Sequence, residues 1–356
     1  MTEVSAYAHG RVNLIGEHTD YNGGWVLPTA IPQKTTVRIS PLSGARVEVL
    51  AAPEHAGGQP RQGGYEMGRE EPRHEWLDYI KGATKILAAG GARLKGFRLE
   101  IESDVPEGSG LSSSAALEIA VLKGLREING LPHSDQELAR IGQQIENEFV
   151  GARVGIMDQM ACSLAQSGVA LFLDTLNLSY EQVKLPLDQM DLIIINSGIS
   201  HRLSATDGGY NQRRAECEKA CAQLGINLLR DISWDELQKK DLPEQLMKRA
   251  RHVVKENERV HKAVAAIKKN DLVTLGKLFV ESHQSMRDDY QVSIPEIDTL
   301  VELCMKDAGT YGARLTGGGF GGSIVAITKK GEGKRIADAV VSEYKKLTGV
   351  TANHLA

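Results

Sequence analysis

The stretch Pro106-Glu-Gly-Ser-Gly-Leu-Ser-Ser-Ser-Ala-Ala116 says most about the fold, because a loop of small residues runs directly into an apolar helix. Gly108 and Gly110 carry no side chains, so a phosphate can come close to the backbone there. The serines at 112–114 lie at the predicted helix start, whose first N–H groups lack intrahelical partners and carry partial positive charge. The segment predicts an anion site without the Gly-Lys-Ser/Thr ending of a Walker loop, although a capped helix after a turn explains it equally well.

The elements around this loop follow no regular βαβ order. Strands are predicted at 35–39, 97–101, 169–173, 192–195, 313–316 and 323–327, and helices at 76–89, 114–128, 156–166, 208–223, 243–268, 271–287, 295–307 and 333–347. Ser134 and Glu137 form a capping box for a further helix. Residues 52–74, rich in Gly, Pro and charge, are predicted to be a surface excursion. We expect an α+β protein with a boundary near Leu185-Pro186, which separates domains 1–185 and 186–356.

The composition restricts the possible partners. The chain has 356 residues, of which 41% are hydrophobic, and a net charge of −4, so no basic field favours nucleic acid or an anionic membrane. No apolar run approaches the ~18 residues of a membrane span, and the first residues do not form a signal peptide. We expect a cytoplasmic protein that is a monomer or a weak oligomer. Its four cysteines are sparse and complete no zinc set, so we expect reduced thiols at Cys162, Cys217, Cys221 and Cys304.

A second polar segment, Gly10–Gly24, places Arg11, Glu17, His18 and Asp20 beside an apolar strand. A solvated surface turn would also be polar. However, several different hydrogen-bonding groups on a tightly turned backbone are what a polyhydroxylated ligand requires, so we interpret the segment as a binding site.

Two acids and a glycine cluster are weaker signals taken singly. Asp158 lies among apolar neighbours at a helix start, where the helix dipole alone favours an acid. Glu146 lies mid-helix beside an apolar stripe, where a glutamate is usually solvated. Near a phosphate loop, it would be a candidate oxygen ligand for Mg²⁺. Five of the six residues 317–322 are glycine, which indicates either a flexible hairpin or a backbone that approaches a ligand or the other domain closely.

Taken together and in this order, the motifs are specific. The sequence resembles the small-molecule kinases related to galactokinase, homoserine kinase, mevalonate kinase and phosphomevalonate kinase, and its first motif is similar to the galactokinase branch. The resemblance covers nearly the whole chain and is carried by the segments 10–21, 106–115, 155–158, 210–217, 282–289 and 315–322.

The resemblance implies a two-domain small-molecule kinase fold with the active site in the interdomain cleft. It implies ATP-dependent phosphorylation of α-D-galactose at the anomeric hydroxyl, with Mg²⁺ as cofactor. A 1-kinase for another sugar, such as an amino sugar or L-arabinose, is the alternative within enzymes. A non-catalytic sugar or ATP sensor is the alternative outside them, and the completeness of the motifs disfavours it.

The resemblance also implies residue roles. It assigns catalysis to Arg11 and Asp158; sugar binding to Glu17, His18, Thr19, Asp20, Gly155 and Tyr210; ATP binding to Gly108, Ser109, Gly110, Leu111, Ser112, Ser113 and Ser114; and Mg²⁺ binding to Ser114 and Glu146. Two departures bear on the range of sugars. His9 stands where the family usually has Pro, and Gly209 stands where an acidic residue often precedes the matching Tyr210. We expect Gly209 to loosen the wall near Tyr210 and so to weaken discrimination at C2 and C6 of the sugar.

Overall fold

The computed structural model describes residues 3–53, 59–200 and 209–355. The chain forms two compact units, each assembled from three segments. Unit 1 contains Met1–Arg11, Ala30–Glu107 and Ser112–Ala165, and unit 2 contains Val12–Thr29, Gly108–Leu111 and Gln166–Ala356. Residues 166–185 therefore lie in unit 2, and the single boundary near Leu185-Pro186 stays a prediction about domains.

The strands and helices have the following bounds. The strands are β1 (Val4–Asn13), β2 (Trp25–Val26), β3 (Pro28–Pro41), β4 (Arg46–Ala51), β5 (Arg61–Glu66), β6 (Phe97–Ser103), β7 (Val169–Asp174), β8 (Tyr180–Lys184), β9 (Met190–Asn196), β10 (Thr310–Thr316), β11 (Ser323–Lys329) and β12 (Asn353–Leu355). The helices are α1 (Asp78–Ala89), α2 (Ser113–Asn129), α3 (Asp135–Gln144), α4 (Met157–Leu164), α5 (Gly209–Leu224), α6 (Trp234–Leu237), α7 (Glu244–Lys268), α8 (Leu272–Ser285), α9 (Pro295–Lys306) and α10 (Gly333–Thr348).

Unit 1 combines a sheet with helices α1 to α4. Strand β1 pairs with β3, and the order continues β3-β6-β4-β5. The β-branched residues Val37 and Ile39 pair with Ile101 and Leu99 across β3 and β6, and all four side chains are buried. The predicted capping box at Ser134 is confirmed at the start of α3. Helix α3 then continues into a π-helical turn, Ile145–Val150, which carries Glu146.

Unit 2 is built on an antiparallel sheet of order β10-β11-β9-β12. The apolar run in β9 pairs Ile194 and Ile195 with Val325 and Ile324 of β11, and these residues are buried, as the sequence predicts. Helices α8 and α9 pack on β10. Strand β7 pairs with β2 and with β8, and its Ala170 also pairs with Thr29 near the start of β3. Helix α8 ends in a second π-helical turn, Met286–Tyr290.

The elements predicted from the sequence are present with ends displaced by a few residues. Residue 208, the predicted start of one helix, lies outside the described residues. The predicted surface excursion at 52–74 contains the edge strand β5, whose residues Arg61–Glu66 all pair with Arg46–Ala51 of β4. Residues 54–58 of this excursion lie outside the described residues. The four cysteines are free and buried, as expected for packed thiols. Within the described residues, no helix is long and apolar enough to cross a bilayer.

Candidate active site

An ion pair in unit 1 joins Arg11, near the end of β1, to Asp158 in the first turn of α4. Nε of Arg11 donates to Oδ1 of Asp158 at 2.9 Å, and Nη2 donates to Oδ2 at 2.9 Å. The Arg11 side chain is 4% exposed and that of Asp158 is 30% exposed. Two parallel hydrogen bonds orient a carboxylate as well as attract it. The structure thus brings together the two residues that the resemblance assigns to catalysis.

A second pair in unit 1 joins Ser114, at the start of α2, to Glu146 in the π-helical turn. The two side chains form a hydrogen bond, and Glu146 is 5% exposed. Burial raises the pKa of Glu146 to about 7, the bond with Ser114 opposes this shift, and the charge of Asp158 adds to it. Among the described residues, no lysine or arginine forms an ion pair with Glu146. A hydroxyl and a buried acid with no cationic partner form an oxygen donor set that suits a divalent cation.

The glycine-serine loop has the backbone of an anion site. Left-handed φ angles recur at every second residue, at Gly108 (67°), Gly110 (75°) and Ser112 (62°). Alternating backbone conformations of this kind point successive N–H groups into one concavity. The hydroxyl of Ser112 is buried and has no hydrogen-bond partner among the described residues, and α2 begins directly after it. The loop therefore ends in a buried hydroxyl that lies directly before the positive end of a helix.

The glycine cluster at 317–322 makes close backbone contacts. A Cβ on Gly317 would lie 2.9 Å from the carbonyl oxygen of Gly110, and Gly317 has a φ of 86°. Ser323, where β11 begins, donates to the carbonyl oxygen of Ser109 at 2.7 Å. Because any side chain at Gly317 would collide with the loop at 108–111, close approach explains this glycine better than a flexible hairpin does.

Glu17 lies inside unit 2 with both carboxylate oxygens occupied. Oε2 accepts from Asn13 at 2.8 Å and from Arg314 at 2.5 Å, and Oε1 accepts from the backbone N–H of Gly317 at 2.9 Å and from Thr316 at 3.2 Å. Its side chain is 2% exposed. Burial raises the pKa of Glu17, while Arg314 opposes the shift. Glu17 thus ties the polar segment 10–24 to β10 and to the glycine cluster.

Helix α7 supports the same segment from another side. Glu256 accepts from the backbone N–H of Gly16 at 2.9 Å and from Arg259 at 2.6 Å, and His252 lies 3.1 Å from the carbonyl oxygen of Glu17. Burial alone would raise the pKa of Glu256, but the charges of Arg259, His252 and Arg314 bring it to about 2. The acid is therefore ionised and fully compensated, and it holds the turn in which the predicted sugar ligands lie.

His18 has one ring nitrogen held and the other unpartnered. Nδ1 lies 2.9 Å from the Tyr21 hydroxyl, which lies 2.7 Å from the Tyr290 hydroxyl, and that hydroxyl lies 3.1 Å from Sγ of Cys217. Nε2 of His18 is buried and has no partner among the described residues. Burial lowers the pKa of His18 well below its usual range, so the ring is neutral. Its φ of 64° is rare for a side-chain-bearing residue and occurs chiefly where surrounding contacts impose it.

Of the remaining predicted sugar residues, Thr19, Asp20 and Tyr210 lie in unit 2 with His18, and Gly155 lies in unit 1. Thr19 is fully buried, and its hydroxyl lies 2.8 Å from the carbonyl oxygen of Gly16. Asp20 begins the 3-10 turn Asp20–Asn22. The ring of Tyr210, at the start of α5, lies 5.7 Å from that of His18. Gly155 lies in unit 1, just before α4. The structure thus gathers Arg11, Ser114, Glu146, Gly155 and Asp158 in unit 1, and Glu17, His18, Thr19, Asp20 and Tyr210 in unit 2.

The expectation that Gly209 loosens the surroundings of Tyr210 stays a prediction, because residues 201–208 next to it lie outside the described residues. A Cβ on Gly209 would lie 2.7 Å from Cζ of Phe320. The aromatic ring already fills the space that a side chain at 209 would take. Gly209, which stands where an acidic residue is usual in the family, is therefore packed against the ring of Phe320.

Sequence reasoning missed several buried polar residues that support the site. They are Glu118 in unit 1 and His252, Glu256, Arg259 and Arg314 in unit 2, all of them buried. A signal was present for two of them. Arg314 lies between Ala313 and Leu315 in an otherwise apolar strand, and Glu118 lies among apolar residues one turn after Ser114. A charge inside an apolar pattern indicates a buried pair.

Three family profiles match the chain. The galactokinase galactose-binding signature matches residues 2–41, the GHMP kinases N terminal domain matches residues 78–166, and the GHMP kinases C terminal profile matches residues 263–346. The galactokinase of Chloroflexus aggregans is 42% identical over 98% of this chain and 90% of its own length. The Haemophilus influenzae galactokinase is 42% identical over 98% of this chain and 91% of its own length.

The chain belongs to the galactokinase family of GHMP kinases. It is therefore a sugar kinase of the α+β class, as its motifs predict. The solved structure of Lactococcus lactis galactokinase complexed with galactose is 34% identical to it, with a TM-score of 0.93 over 99% of this chain and 92% of that chain. A mevalonate kinase with 18% identity shares the fold, with a TM-score of 0.70 over 99% of this chain and 98% of that chain.

Proposed function

We propose that this kinase transfers the γ-phosphoryl group of ATP to the anomeric hydroxyl of α-D-galactose, which gives α-D-galactose 1-phosphate and ADP. The observation that carries the proposal is the two-point contact between Arg11 and Asp158. Arg11 falls within the galactose-binding signature and Asp158 within the N-terminal kinase profile. Phosphoryl transfer needs a group that positions the attacking hydroxyl and a cation near the transferring phosphoryl.

Asp158 is the group that faces the hydroxyl. It accepts the proton of the anomeric oxygen, or it orients that oxygen for attack, and either role requires a fixed carboxylate. Arg11 fixes it through both oxygens and brings positive charge that can stabilise the transferring phosphoryl. Because Arg11 is nearly inaccessible while Asp158 is partly exposed, the substrate would meet the acid first.

The loop residues 108–114 would hold the phosphates of ATP. Backbone N–H groups and the Ser112 hydroxyl suit phosphate oxygens. Ser114 and Glu146 fit a Mg²⁺ ion, since both present oxygen and Glu146 has no cationic partner among the described residues. Mg²⁺ supplies charge neutralisation on the phosphates when it is bound.

For the sugar, the unpartnered Nε2 of His18 is the best-supported contact in unit 2. Asp20, Tyr210 and Gly155 complete the proposed set. The oxygens of Glu17 and the hydroxyl of Thr19 are engaged with the protein. These two residues would therefore act on the sugar mainly through the turn that they hold.

We also propose that the protein acts in the cytoplasm as a monomer or a weak oligomer. Four free, buried thiols suit a reducing compartment. Light scattering of the purified protein across a dilution series measures the oligomeric state. A particle mass well above that of one chain at micromolar concentration would contradict the second part of the proposal.

The test of function is sugar-dependent ADP release in the presence of ATP and Mg²⁺. Galactose, glucose, galactosamine and L-arabinose form the panel, and phosphorus NMR identifies the position of the phosphate. We expect galactose 1-phosphate as the main product and efficiency on glucose lower by ~10⁴-fold, because a site paired to one hydroxyl arrangement rejects the other. Comparable efficiency on another sugar would make the protein a kinase for that sugar. ATP binding without sugar-dependent ADP release would make it a sensor.

A further inference from the structure

A buried acid and a buried amide face each other between α2 and α4 in unit 1. Glu118 lies one turn after Ser114 on α2, and Gln159 directly follows Asp158 on α4. Both side chains are fully buried, and Nε2 of Gln159 donates to Oε2 of Glu118 at 3.3 Å. This contact links the two helix starts that carry a proposed metal ligand and the proposed catalytic acid.

The pair has two acceptors left over. Oε1 of Glu118 and Oε1 of Gln159 are both buried, and neither has a hydrogen-bond partner among the described residues. Helix α3 closes the pair off, since a Cβ on Gly142 would lie 2.9 Å from Cγ of Gln159 and 3.5 Å from Oε2 of Glu118. Two enclosed acceptors without donors are costly, and one proton would supply what both lack.

The surroundings of Glu118 disfavour its charged form. The ionisable groups near it are the carboxyl groups of Glu146 and Asp158, the hydroxyl of Tyr79 and the thiol of Cys162, none of which carries positive charge. The hydrogen-bond partner of its side chain among the described residues is a neutral amide. Burial raises the pKa of Glu118 well above its usual range, and Glu146 adds to the shift. A third negative charge here would repel the two acids on which the proposed function depends.

We propose that Glu118 is a protonated, neutral carboxylic acid that forms a two-point pair with Gln159 and serves as a positioning residue for Asp158. Oε1–H of Glu118 donates to Oε1 of Gln159, while Nε2–H of Gln159 donates to Oε2 of Glu118. Both leftover acceptors are then used, and the pair carries no charge. It fixes the first turn of α4 against α2, and so holds Asp158 in register with Ser114. This inference rests on the proposed function of Asp158 as the group that meets the sugar hydroxyl.

Two variants at position 118 separate positioning from charge. Glu118→Gln keeps size and hydrogen bonding, because an amide–amide pair has the same two-point geometry, so we expect kcat to stay close to that of the wild type. Glu118→Leu leaves Gln159 without a partner, and we expect kcat to fall about tenfold, the effect of roughly one lost hydrogen bond, while the KM for galactose changes less. Glu127→Gln, at an exposed acid on the same helix, is the matched control and should behave as the wild type.

Infrared spectroscopy tests the protonation state without reference to activity. The difference spectrum between the wild type and Glu118→Gln in alkaline buffer should show the C=O stretch of a protonated carboxyl group. A carboxylate band in its place would overturn the proposal, as would a large loss of kcat in a folded Glu118→Gln protein. A folded Glu118→Leu protein with wild-type kcat would overturn the positioning role.

Measurements of kcat for Gln159→Leu and for the double variant complete a double-mutant cycle. If the pair acts as a unit, the loss in Glu118→Leu/Gln159→Leu is smaller than the sum of the two single losses. Additive losses would mean that the residues act separately. Failure of the proposed function is distinguishable from these outcomes, since it would appear as a wild-type protein with no galactose-dependent turnover.

Discussion

Two pairs of buried glutamates, one pair in each unit, have opposite surroundings. In unit 2, Glu17 and Glu256 accept hydrogen bonds from Arg314, Arg259 and backbone N–H groups. In unit 1, Glu146 and Glu118 accept from neutral groups, the hydroxyl of Ser114 and the amide of Gln159. The pKa values of Glu256 and Glu146 follow this contrast, since that of Glu256 is brought to about 2 and that of Glu146 is raised to about 7. At Glu17, burial outweighs the charge of Arg314, and its pKa is raised as well.

The difference indicates what each set of acids is for. A buried acid whose charge is matched inside the protein adds rigidity, because moving it would uncover two charges. A buried acid without such a match is stable only if it takes up a proton or meets a cation from outside. Unit 2 therefore uses its acids to hold the proposed sugar-binding turn. In unit 1, Glu146 has no cationic partner among the described residues and is the proposed Mg²⁺ ligand, and Glu118 is neutral in the proposed pair with Gln159.

The largest expected effect is at Asp158, the acid that is held by one arginine but still partly exposed. Asp158→Asn keeps the shape and removes the charge. If Asp158 acts as a base, kcat should fall by ~10²–10⁴, the usual contribution of general acid–base catalysis. Steady-state ADP release measures it, with the exposed Asp188→Asn as control. A folded Asp158→Asn protein with near-normal turnover would refute the catalytic assignment.

The second prediction concerns the ion pairs of Glu256 in unit 2. Glu256→Gln removes the acid that faces Arg259 and Arg314, and we expect the free energy of unfolding at neutral pH to fall by about 3 kcal/mol. The folded pKa of Glu256 lies below its unfolded value, so its contribution is complete above about pH 5 and is lost as the pH falls toward 2. Urea unfolding at several pH values checks both points. The acid-side loss of stability should be shallower in Glu256→Gln than in the wild type, and equal slopes would contradict the argument.

Local sequence patterns were enough to predict most elements of the fold. The apolar spacing of α2, the capping box at Ser134 and the apolar run of β9 each depend on neighbours in the sequence, and the structure confirms them. The π-helical turn at Ile145–Val150 was missed, because its apolar spacing resembles that of an α-helix. The assignment of Val12–Thr29 and Gly108–Leu111 to unit 2 was also missed. It depends on contacts between residues far apart in the sequence, which leave no local pattern.

The candidate site was predictable only in part. Arg11 and Asp158 are 147 positions apart, and the resemblance to a family, not their spacing, paired them. The network around Glu17 was unexpected because a buried glutamate and an exposed one look alike in a sequence. Arg314, which donates to Glu17, comes from β10, and Glu256, which accepts from the backbone N–H of Gly16, comes from α7; both lie far along the chain. The sequence marks Arg314 as a charge between apolar neighbours, but only the fold shows which acids it contacts.

The third prediction tests the uncompensated acid of unit 1. Glu146→Gln removes a proposed Mg²⁺ ligand without breaking an ion pair among the described residues. We expect the half-saturating Mg²⁺ concentration to rise about tenfold, consistent with Mg²⁺ relying on only one or two protein carboxylates. We expect neither the KM for galactose nor the free energy of unfolding to worsen appreciably. A Mg²⁺ titration of the rate measures the first effect, and an unchanged Mg²⁺ requirement would count against Glu146.

The smallest expected effect concerns the uncharged hydrogen-bond chain of unit 2, which runs from Cys217 through Tyr290 and Tyr21 to His18. Tyr21→Phe removes the hydroxyl that lies 2.9 Å from Nδ1 of His18. The ring then loses the partner that fixes its tautomer and its tilt, and with them the direction of the unpartnered Nε2. One neutral hydrogen bond corresponds to about 1 kcal/mol, so the KM for galactose should rise roughly fivefold while kcat changes less. Tyr344→Phe is the matched control, because it removes a buried hydroxyl of the same unit that donates to the carbonyl oxygen of Ser197 instead. If both variants change the KM equally, the effect is general loosening of unit 2, and the chain from Cys217 to His18 has no specific role in holding the sugar.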